Sequence, residues 1–287
     1  MTQQTSNLSS NTTHSVAPTL VKAVDGFFRA STTTNESDSP SPLFARFERI
    51  PSSWSDFQRQ VTHLQQQQTK RLNDEALRQI KVVYLLRHAE GTHNEAHAKY
   101  GSPRWEDDFA RTSAFLDAPL TPFGFQDAQR KGQARVQAEL DQGMPRIERV
   151  VVSPISRAIQ TAQHFFTADQ VPEHPFMCIE SCRETLDCHT CNQRRPRSEL
   201  QAKFPTVDFS RLTTEEDQLW SSTHRETVEE IHERARAFLL ELFREVPEHY
   251  VVVAAHLSII EAICAVTLGT PIRPRNCEVI PIVLEAL

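Results

Sequence analysis

Three apolar segments of the chain are followed, directly or within a few residues, by arginine or histidine. KVVYLL is followed by Arg87 and His88, VVVAA is followed by His256, and IERVVVSP is followed three residues later by Arg157. Arginine binds phosphate through paired N–H donors, and a neutral imidazole can attack phosphorus and carry the phosphoryl group covalently. These residue types therefore indicate phosphoryl-group chemistry.

Phosphoryl transfer also requires a proton for the leaving oxygen. The reaction depends mainly on positioning and on neutralising the charge of the phosphoryl oxygens, which Arg87, Arg157 and His256 could do without a metal. Glu184 lies in CRETLD, in a predicted loop after the apolar run FMCI. It is the candidate proton donor, because a carboxyl group with a raised pKa suits that task.

The segments that must position these residues alternate between predicted strands and helices. Continuous apolar runs predict strands, and helices are predicted to start at Thr121–Pro122, after Ser153–Pro154, within RETVEEIHERARAFLLELFREV and at Leu257. This order predicts an α/β fold, a three-layer αβα sandwich with a mostly parallel central sheet. Ligands bind such sheets at the carboxyl ends of the strands, where helix N-termini favour anions.

Composition divides the chain into three parts. Residues 1–42 are rich in Ser, Thr and Asn and are expected to form a disordered or loosely packed tail. Residues 43–80 contain aromatic residues and then a polar helical stretch, which predicts an N-terminal extension packed on the main domain. Residues 81–287 carry the α/β pattern and are expected to form the catalytic domain.

The overall charge restricts the possible partners. The net charge is -6 and no long basic block is present, which argues against a nucleic-acid or anionic-membrane partner. No apolar run is long enough to predict a membrane span, and the N-terminus lacks the pattern of a secretory signal. We therefore expect a cytoplasmic protein whose partner is a small phosphorylated metabolite held by a local cluster of arginines.

Four of the six cysteines lie in CIESCRETLDCHTC. A Cys-x-x-Cys pair with two further thiols could bind zinc. A second well-spaced pair is missing, however, so the sequence favours free thiols and no metal or cofactor. Of the histidines outside the strand ends, five are expected to be ordinary surface or helix residues: His93, His97, His164, His232 and His249.

Several ordered motifs resemble those of the histidine phosphatase superfamily, also called phosphoglycerate-mutase-like. They are RHAEGTHN, LTPFG, SPISRAIQTA, the pair Arg183–Glu184 and AAHLSII, and the resemblance runs from about Lys81 to the C-terminus. It implies a phosphoglycerate-mutase-like fold in which His88 is the phosphorylated nucleophile and Glu184 the proton donor. It further implies phosphate contacts from four residues: Arg87, Arg157, His256 and Asn94. Thr92 matches a position that lines the substrate site.

The motif details favour the mutase-like branch, branch 1, over the acid phosphatases. The acid phosphatases have Arg-His-Gly-x-Arg-x-Pro, whereas here Thr92 and Asn94 occupy the first motif, and Leu257 follows His256 where that group has Asp. The sequence ETLDC differs from the Glu-Arg-x-Tyr-Gly of glycolytic mutases, so we do not expect mutase activity.

The chain is most similar to the fungal and plant phosphomutase-like subgroup but departs from its pattern. Asp187 stands for a glycine, Asn192 for an aspartate and Ala89 for the glycine of the main signature. The changes at 187 and 192 are expected to affect substrate preference. His189 and Arg194, in the same segment, either contact the distal part of the substrate or belong to a solvated basic loop.

The resemblance implies a metal-independent phosphatase that hydrolyses a small phosphomonoester through a phosphohistidine intermediate. The segment CHTCNQRRPR is typical of a partial lid and favours a small substrate over a protein. Two alternatives remain: an enzyme of the same fold recruited to a specialised biosynthetic step, and a phosphate-binding regulatory protein without turnover. The second alternative predicts binding without hydrolysis.

Overall fold

A central β-sheet organises the computed structural model, which describes residues 19–31, 42–71 and 79–287. Numbered along the chain, the strands are β1 (Val21–Ala23), β2 (Phe28–Ala30), β3 (Phe47–Arg49), β4 (Ile80–Arg87), β5 (Arg149–Val152), β6 (Phe176–Cys178), β7 (Val207–Asp208), β8 (Tyr250–Ala255) and β9 (Val279–Ala286). Within the described residues the central sheet has the order β1-β9-β4-β8-β5-β6-β7, and β2 pairs with β3 separately.

Most neighbouring strands of this sheet run in parallel. β4, β8, β5, β6 and β7 are joined by parallel pairs, whereas β9 pairs antiparallel with both β4 and β1. The parallel strands therefore present their carboxyl ends at a single edge of the sheet. The predicted α/β fold with a mostly parallel sheet is confirmed.

Helices cover both faces of the sheet. They are α1 (Trp54–Arg71), α2 (Thr92–Arg104), α3 (Pro122–Asp141), α4 (Ser156–Phe165), α5 (Arg197–Lys203), α6 (Val228–Glu245) and α7 (Leu257–Leu268). Tyr84 and Leu86 of β4 pack into the core that α1, α3 and α4 share, while Val83 and Leu85 pack into the core under α6 and α7. This alternation along β4 follows from the two-residue period of a strand.

The N-terminal residues differ from the predicted loose tail where the structure describes them. Strand β1 pairs with β9 at the edge of the central sheet, with Val21 opposite Ala286. Phe27 is buried, and its ring lies 5.2 Å from that of Phe57. Short apolar stretches such as TLVKAV and GFF provide these contacts, although the average composition of residues 1–42 is polar. Residues 1–18 and 32–41 lie outside the described residues.

The predicted extension over 43–80 packs on the face of the sheet that holds α3 and α4. Trp54 and Phe57 of α1 are buried, and their rings lie 5.1 Å apart. Trp54 Nε1 also donates a hydrogen bond of 2.9 Å to Glu139 Oε2 of α3. The aromatic residues of this segment thus become part of the main hydrophobic core, and residues 72–78 lie outside the described residues.

Candidate active site

The carboxyl ends of β4, β5 and β8 bring three buried polar residues together. His88 follows β4, His256 follows β8, and Arg157 lies in the first turn of α4, which follows β5. Each is at most 1% exposed. The His88 and His256 rings lie 5.1 Å apart, and Arg157 Nε lies 3.2 Å from His88 Nε2. The sequence prediction that these residues meet at one sheet edge agrees with this geometry.

The hydrogen bonds of His88 define which ring nitrogen carries a proton. Nδ1 lies 2.6 Å from the carbonyl oxygen of Ala89, which can only accept, so Nδ1 is the protonated nitrogen. Nε2 therefore keeps its lone pair and accepts from Arg157. Burial, followed by the nearby charges of Arg157 and of His256, lowers the pKa of His88 well below its ordinary value. The ring is neutral near pH 7, as a nucleophile requires.

The guanidinium of Arg157 is held by the loop that follows Glu184. Its Nη1 donates to the carbonyl of Cys191 at 2.6 Å and its Nη2 donates to Asn192 Oδ1 at 2.9 Å. Asn192 Nδ2 in turn donates to Asp187 Oδ1 at 3.0 Å. Asn192 and Asp187 were not among the site residues predicted from the sequence. The sequence did mark both positions, because they are two of the positions at which this chain departs from the pattern of the subgroup.

His256 is oriented by a serine that sequence analysis also missed. Its Nε2 lies 2.8 Å from Ser153 Oγ, at the end of β5, while its Nδ1 is buried with no hydrogen-bond partner among the described residues. Burial and the charge of Arg157 lower the pKa of His256 well below the ordinary value. An unpaired buried nitrogen is costly unless a ligand binds it, so the arrangement favours a polar ligand next to His88.

Arg87 and Glu184 lie at the border of this cluster. Arg87 Nη1 donates to the carbonyl of Pro274 at 2.9 Å, and its Nε is buried without a partner among the described residues. Glu184 Oε1 accepts from the backbone N–H of Ser258 at 3.0 Å, in the first turn of α7. Burial lowers the pKa of Arg87, and the carboxylate of Glu184 opposes that effect. Glu184, the predicted proton donor, is therefore close enough to Arg87 to influence the charge of its guanidinium.

The segment after Gly91 adds a histidine to the cluster. Asn94 Oδ1 accepts from the backbone N–H of Gly91 at 3.0 Å and so caps α2, where Thr92 is the first residue. The His93 ring lies 5.7 Å from the His88 ring, and burial together with Arg157 lowers its pKa well below the ordinary value. His93 is thus a helix residue as expected, but not an ordinary one, because its ring lies beside that of His88. Phosphate contact by Asn94 and substrate contact by Thr92 stay predictions.

Arg194 does not take the position that was predicted for it. Its side chain is buried and donates only to protein groups, among them Glu180 Oε1 at 2.6 Å and the carbonyl of Glu215 at 2.8 Å. With its guanidinium occupied in this way it anchors residues 214–216, so both expectations, a substrate contact and a place in a solvated basic loop, are corrected. The sequence gives no sign of this, because the acceptors are mostly backbone carbonyls.

His189 lies beside a surface cleft. Its Nε2 lies 2.9 Å from Glu106 Oε2 and 3.0 Å from Arg225 Nη2, and both of those residues line the cleft. The backbone N–H of His189 donates to Asp187 Oδ1, the oxygen that also accepts from Asn192. A continuous chain of polar contacts thus joins the cleft to Arg157. Substrate contact by His189 stays a prediction.

The cysteine-rich segment does not form a metal centre within the described residues. All six cysteines are buried and free. No group of His, Cys, Asp or Glu in the described part of the chain has the geometry to hold a metal ion. Burial raises the pKa of the Cys191 thiol to about 12, so it is a thiol at neutral pH. In the same part of the chain, no helix is long and apolar enough to cross a membrane.

Comparison with known proteins agrees with the motifs. The family model of the histidine phosphatase superfamily (branch 1) matches residues 83–281. A phosphoglycerate mutase-like protein of Arabidopsis thaliana is 34% identical over 188 residues, covering 57% of this chain and 66% of that protein. The chain therefore spans slightly less than two thirds of the length of this relative.

A second relative matches over nearly the whole chain, and a solved structure matches over part of it. The Saccharomyces cerevisiae protein named "Probable phosphoglycerate mutase PMU1" is 26% identical over 295 residues, covering 92% of this chain and 96% of that protein. The solved structure of an ecdysone phosphate phosphatase from Bombix mori, in complex with tungstate, has a TM-score of 0.44 and 17% identity, covering 69% of this chain and 87% of that one. Because the family model matches most of the chain, including the strand ends that carry His88, Arg157 and His256, the chain belongs to the histidine phosphatase superfamily, branch 1.

Proposed function

We propose that the protein is a metal-independent phosphatase that hydrolyses a small phosphomonoester through a phosphohistidine on His88. The observation that carries the proposal is the pair of contacts made by the two ring nitrogens of His88. A proton fixed on Nδ1 leaves the Nε2 lone pair facing the guanidinium of Arg157, where a phosphate would bind. The attacking nitrogen and the cationic guanidinium of Arg157, through its Nε, are thus held within hydrogen-bond distance of each other.

In the first step, His88 Nε2 forms a bond to phosphorus while the phosphorus–oxygen ester bond breaks. Arg157 and Arg87 neutralise the phosphoryl oxygens, and His256 Nδ1, which has no partner among the described residues, is available to one of those oxygens. The carboxyl group of Glu184 gives its proton to the leaving oxygen, which departs as an alcohol. The enzyme then carries the phosphoryl group on His88.

In the second step, water attacks the phosphohistidine. The carboxylate of Glu184 accepts a proton from that water, the phosphorus–nitrogen bond breaks, and inorganic phosphate is released. Glu184 is thereby returned to its acid form and His88 to its neutral form. The burial of His88 favours a small substrate, because a bulky protein surface cannot reach a nitrogen that is almost fully enclosed.

Phosphate release from a panel of phosphorylated metabolites, with a chelator present, tests the proposal. We expect release by the wild type and loss of at least about 10³-fold in His88→Ala, because no other group replaces the nucleophile. His232→Ala is the matched control, since His232 lies on α6, on the other side of the sheet from α4. Alkaline quenching and mass spectrometry should locate the phosphoryl group on His88 in the wild type alone.

Two results would contradict the proposal. Full turnover by His88→Ala would exclude the phosphohistidine. Binding of phosphate by a folded wild type that releases none from any panel member would favour the non-catalytic alternative. Because relatives carry names of phosphoglycerate mutases, the panel should include 3-phosphoglycerate, with 2-phosphoglycerate measured as a product. We expect phosphate release without this isomerisation, since the ETLDC sequence at Glu184 lacks the mutase motif.

A further inference from the structure

A cluster of cationic side chains lines a cavity whose lining includes none of His88, Arg157 and His256. The cavity measures about 160 Å³, which is room for several water molecules and hence for a small anion. It lies between α3, the segment before β3 and the segment before β9. Its polar and charged lining residues are Arg46, Lys131, Arg135, Arg275, Asn276 and Glu278.

The carboxylates near this cavity are already paired. Glu278 accepts from Arg46 through both oxygens, at 2.5 and 2.8 Å, and from the backbone N–H of Arg275. Asp127, in the preceding part of α3, accepts from Lys131 Nζ at 2.7 Å and pairs with Arg130 at the same distance. These two carboxylates therefore leave positive charge elsewhere in the cavity uncompensated.

Arg135 and Arg275 carry that charge. Within the described residues, neither guanidinium donates a hydrogen bond or forms an ion pair. Arg135 is partly buried, and burial followed by the charge of Arg130 lowers its pKa. Arg275 is exposed at the border of the cavity, so only Arg135 has lost water without gaining a partner, which is costly. An anion held between the two guanidinium groups would relieve this cost at Arg135. The local excess is opposite in sign to the net charge of -6.

We propose that this cavity is a second anion-binding site, for a small molecule that carries phosphate or carboxylate groups. Arg135 and Arg275 supply the recognition, and Lys131 and Arg46 border the same space. The proposal does not depend on turnover at His88, because it rests on charges and contacts outside the catalytic cluster.

The segment before β9 joins the cavity to the catalytic residues. Asn276 Nδ2 donates to the carbonyl of His88 at 2.8 Å, while its own carbonyl accepts from Lys131 Nζ at 3.2 Å. The backbone N–H of Cys277 donates to the carbonyl of Arg87 at 3.1 Å. An anion bound to Arg275 would therefore contact the segment that supports Arg87 and His88.

Titration calorimetry with pyrophosphate tests the proposal on the full chain. We expect two binding events in the wild type. In the double variant Arg135→Gln with Arg275→Gln, the affinity of one event should fall by at least about tenfold, as expected for the loss of charged hydrogen bonds. Arg157→Gln should lose the other event, and Arg236→Gln, an exposed arginine on α6, should lose neither.

A double variant whose isotherm matches that of the wild type would overturn the proposal, as would a wild type with a single event that Arg157→Gln abolishes. Thermal unfolding of the double variant without ligand checks that it folds. We expect no more than a small change, since neither side chain forms a hydrogen bond within the described residues. Loss of an event in the double variant would support the second site even if no metabolite were hydrolysed, so the two proposals can fail separately.

Discussion

At the scale of single residues, the amide of Asn192 sets the charge next to Arg157. It accepts from Arg157 Nη2 and donates to Asp187 Oδ1, so the carboxylate is one residue removed from the guanidinium. Asn192→Asp would place two carboxylates about 3 Å apart in a buried site and pair one of them with Arg157. We expect the KM to rise about tenfold, which is ~1.4 kcal/mol of phosphate affinity, with a smaller change in kcat.

The double variant Asp187→Asn with Asn192→Asp is the control for this prediction. It exchanges the amide and the carboxylate, so it retains a single carboxylate and can retain a hydrogen bond between positions 187 and 192. It cannot keep the bond from the backbone N–H of His189 as well, because Asp187 Oδ1 accepts both bonds in the wild type. Steady-state kinetics should show recovery of part of the lost affinity. If Asn192→Asp alone had the KM of the wild type, the charge at position 192 would not affect phosphate binding.

Asp117 gives a prediction of pH dependence. It accepts from the backbone N–H and the hydroxyl of Ser156, just before Arg157, and burial raises its pKa to about 6 from 3.8. A carboxyl group whose pKa is raised by folding binds its proton more tightly in the folded state. The free energy of unfolding therefore falls as the pH rises from about 4 to about 6, by up to ~3 kcal/mol.

Urea unfolding of the wild type and of Asp117→Asn at several pH values measures this contribution. The variant cannot ionise at this position, so its stability relative to the wild type should increase as the pH rises from about 4 to about 7. Asp107→Asn, at an exposed position, is the control and should show no such trend. A constant difference between Asp117→Asn and the wild type would contradict the raised pKa.

At the scale of secondary structure, the motif LTPFG connects α3 to the loop that follows His88. Thr121 caps α3 by accepting from the backbone N–H of Gly124, and its own backbone N–H donates to the carbonyl of Glu90. A Cβ on Gly124 would lie 2.2 Å from that carbonyl oxygen. Gly124→Ala should therefore displace the loop, lower kcat and destabilise the fold by about 1–3 kcal/mol.

Gly132→Ala is the matched control on the same helix. Its Cβ would lie 2.1 Å from the carbonyl oxygen of Phe165, at the end of α4, which is a contact between two helices. We expect a similar loss of stability in urea unfolding, but a smaller loss of kcat in the folded protein. Equal losses of kcat in the two variants would show that the loop after His88 is not specifically supported by Gly124.

The positions of His88, Arg157 and His256 were predictable because each residue follows an apolar run that predicts a strand, either directly or within a few residues. The parallel sheet then brings these residues to one edge by rule. Asn192 and Arg194 were not predictable in the same way, since both lie in a loop whose path depends on contacts distant in sequence. The place of His93 beside His88 was not predicted, because the sequence of a polar helix does not indicate which side of its first turn faces the sheet.

At the scale of the whole molecule, the N-terminal extension belongs to the main core. Trp54 of α1 is 1% exposed, packs against Phe28, Phe44 and Phe57, and bonds to α3 through Glu139. Removing its ring would leave a cavity in the core that α3 and α4 share. We expect Trp54→Ala to lower the free energy of unfolding by about 3–5 kcal/mol, and to leave the KM unchanged because no catalytic residue contacts this ring.

Denaturant unfolding followed by two probes checks this prediction, with the fluorescence of Trp105 and Trp220 reporting on the α/β domain and circular dichroism on the whole fold. If the extension and the α/β domain form a single cooperative unit, both probes should shift together in Trp54→Ala. Phe123→Ala, at an exposed aromatic residue, should shift neither. An early transition confined to residues 43–71, with the remaining transition unchanged, would show that the extension packs on the domain without contributing to its stability.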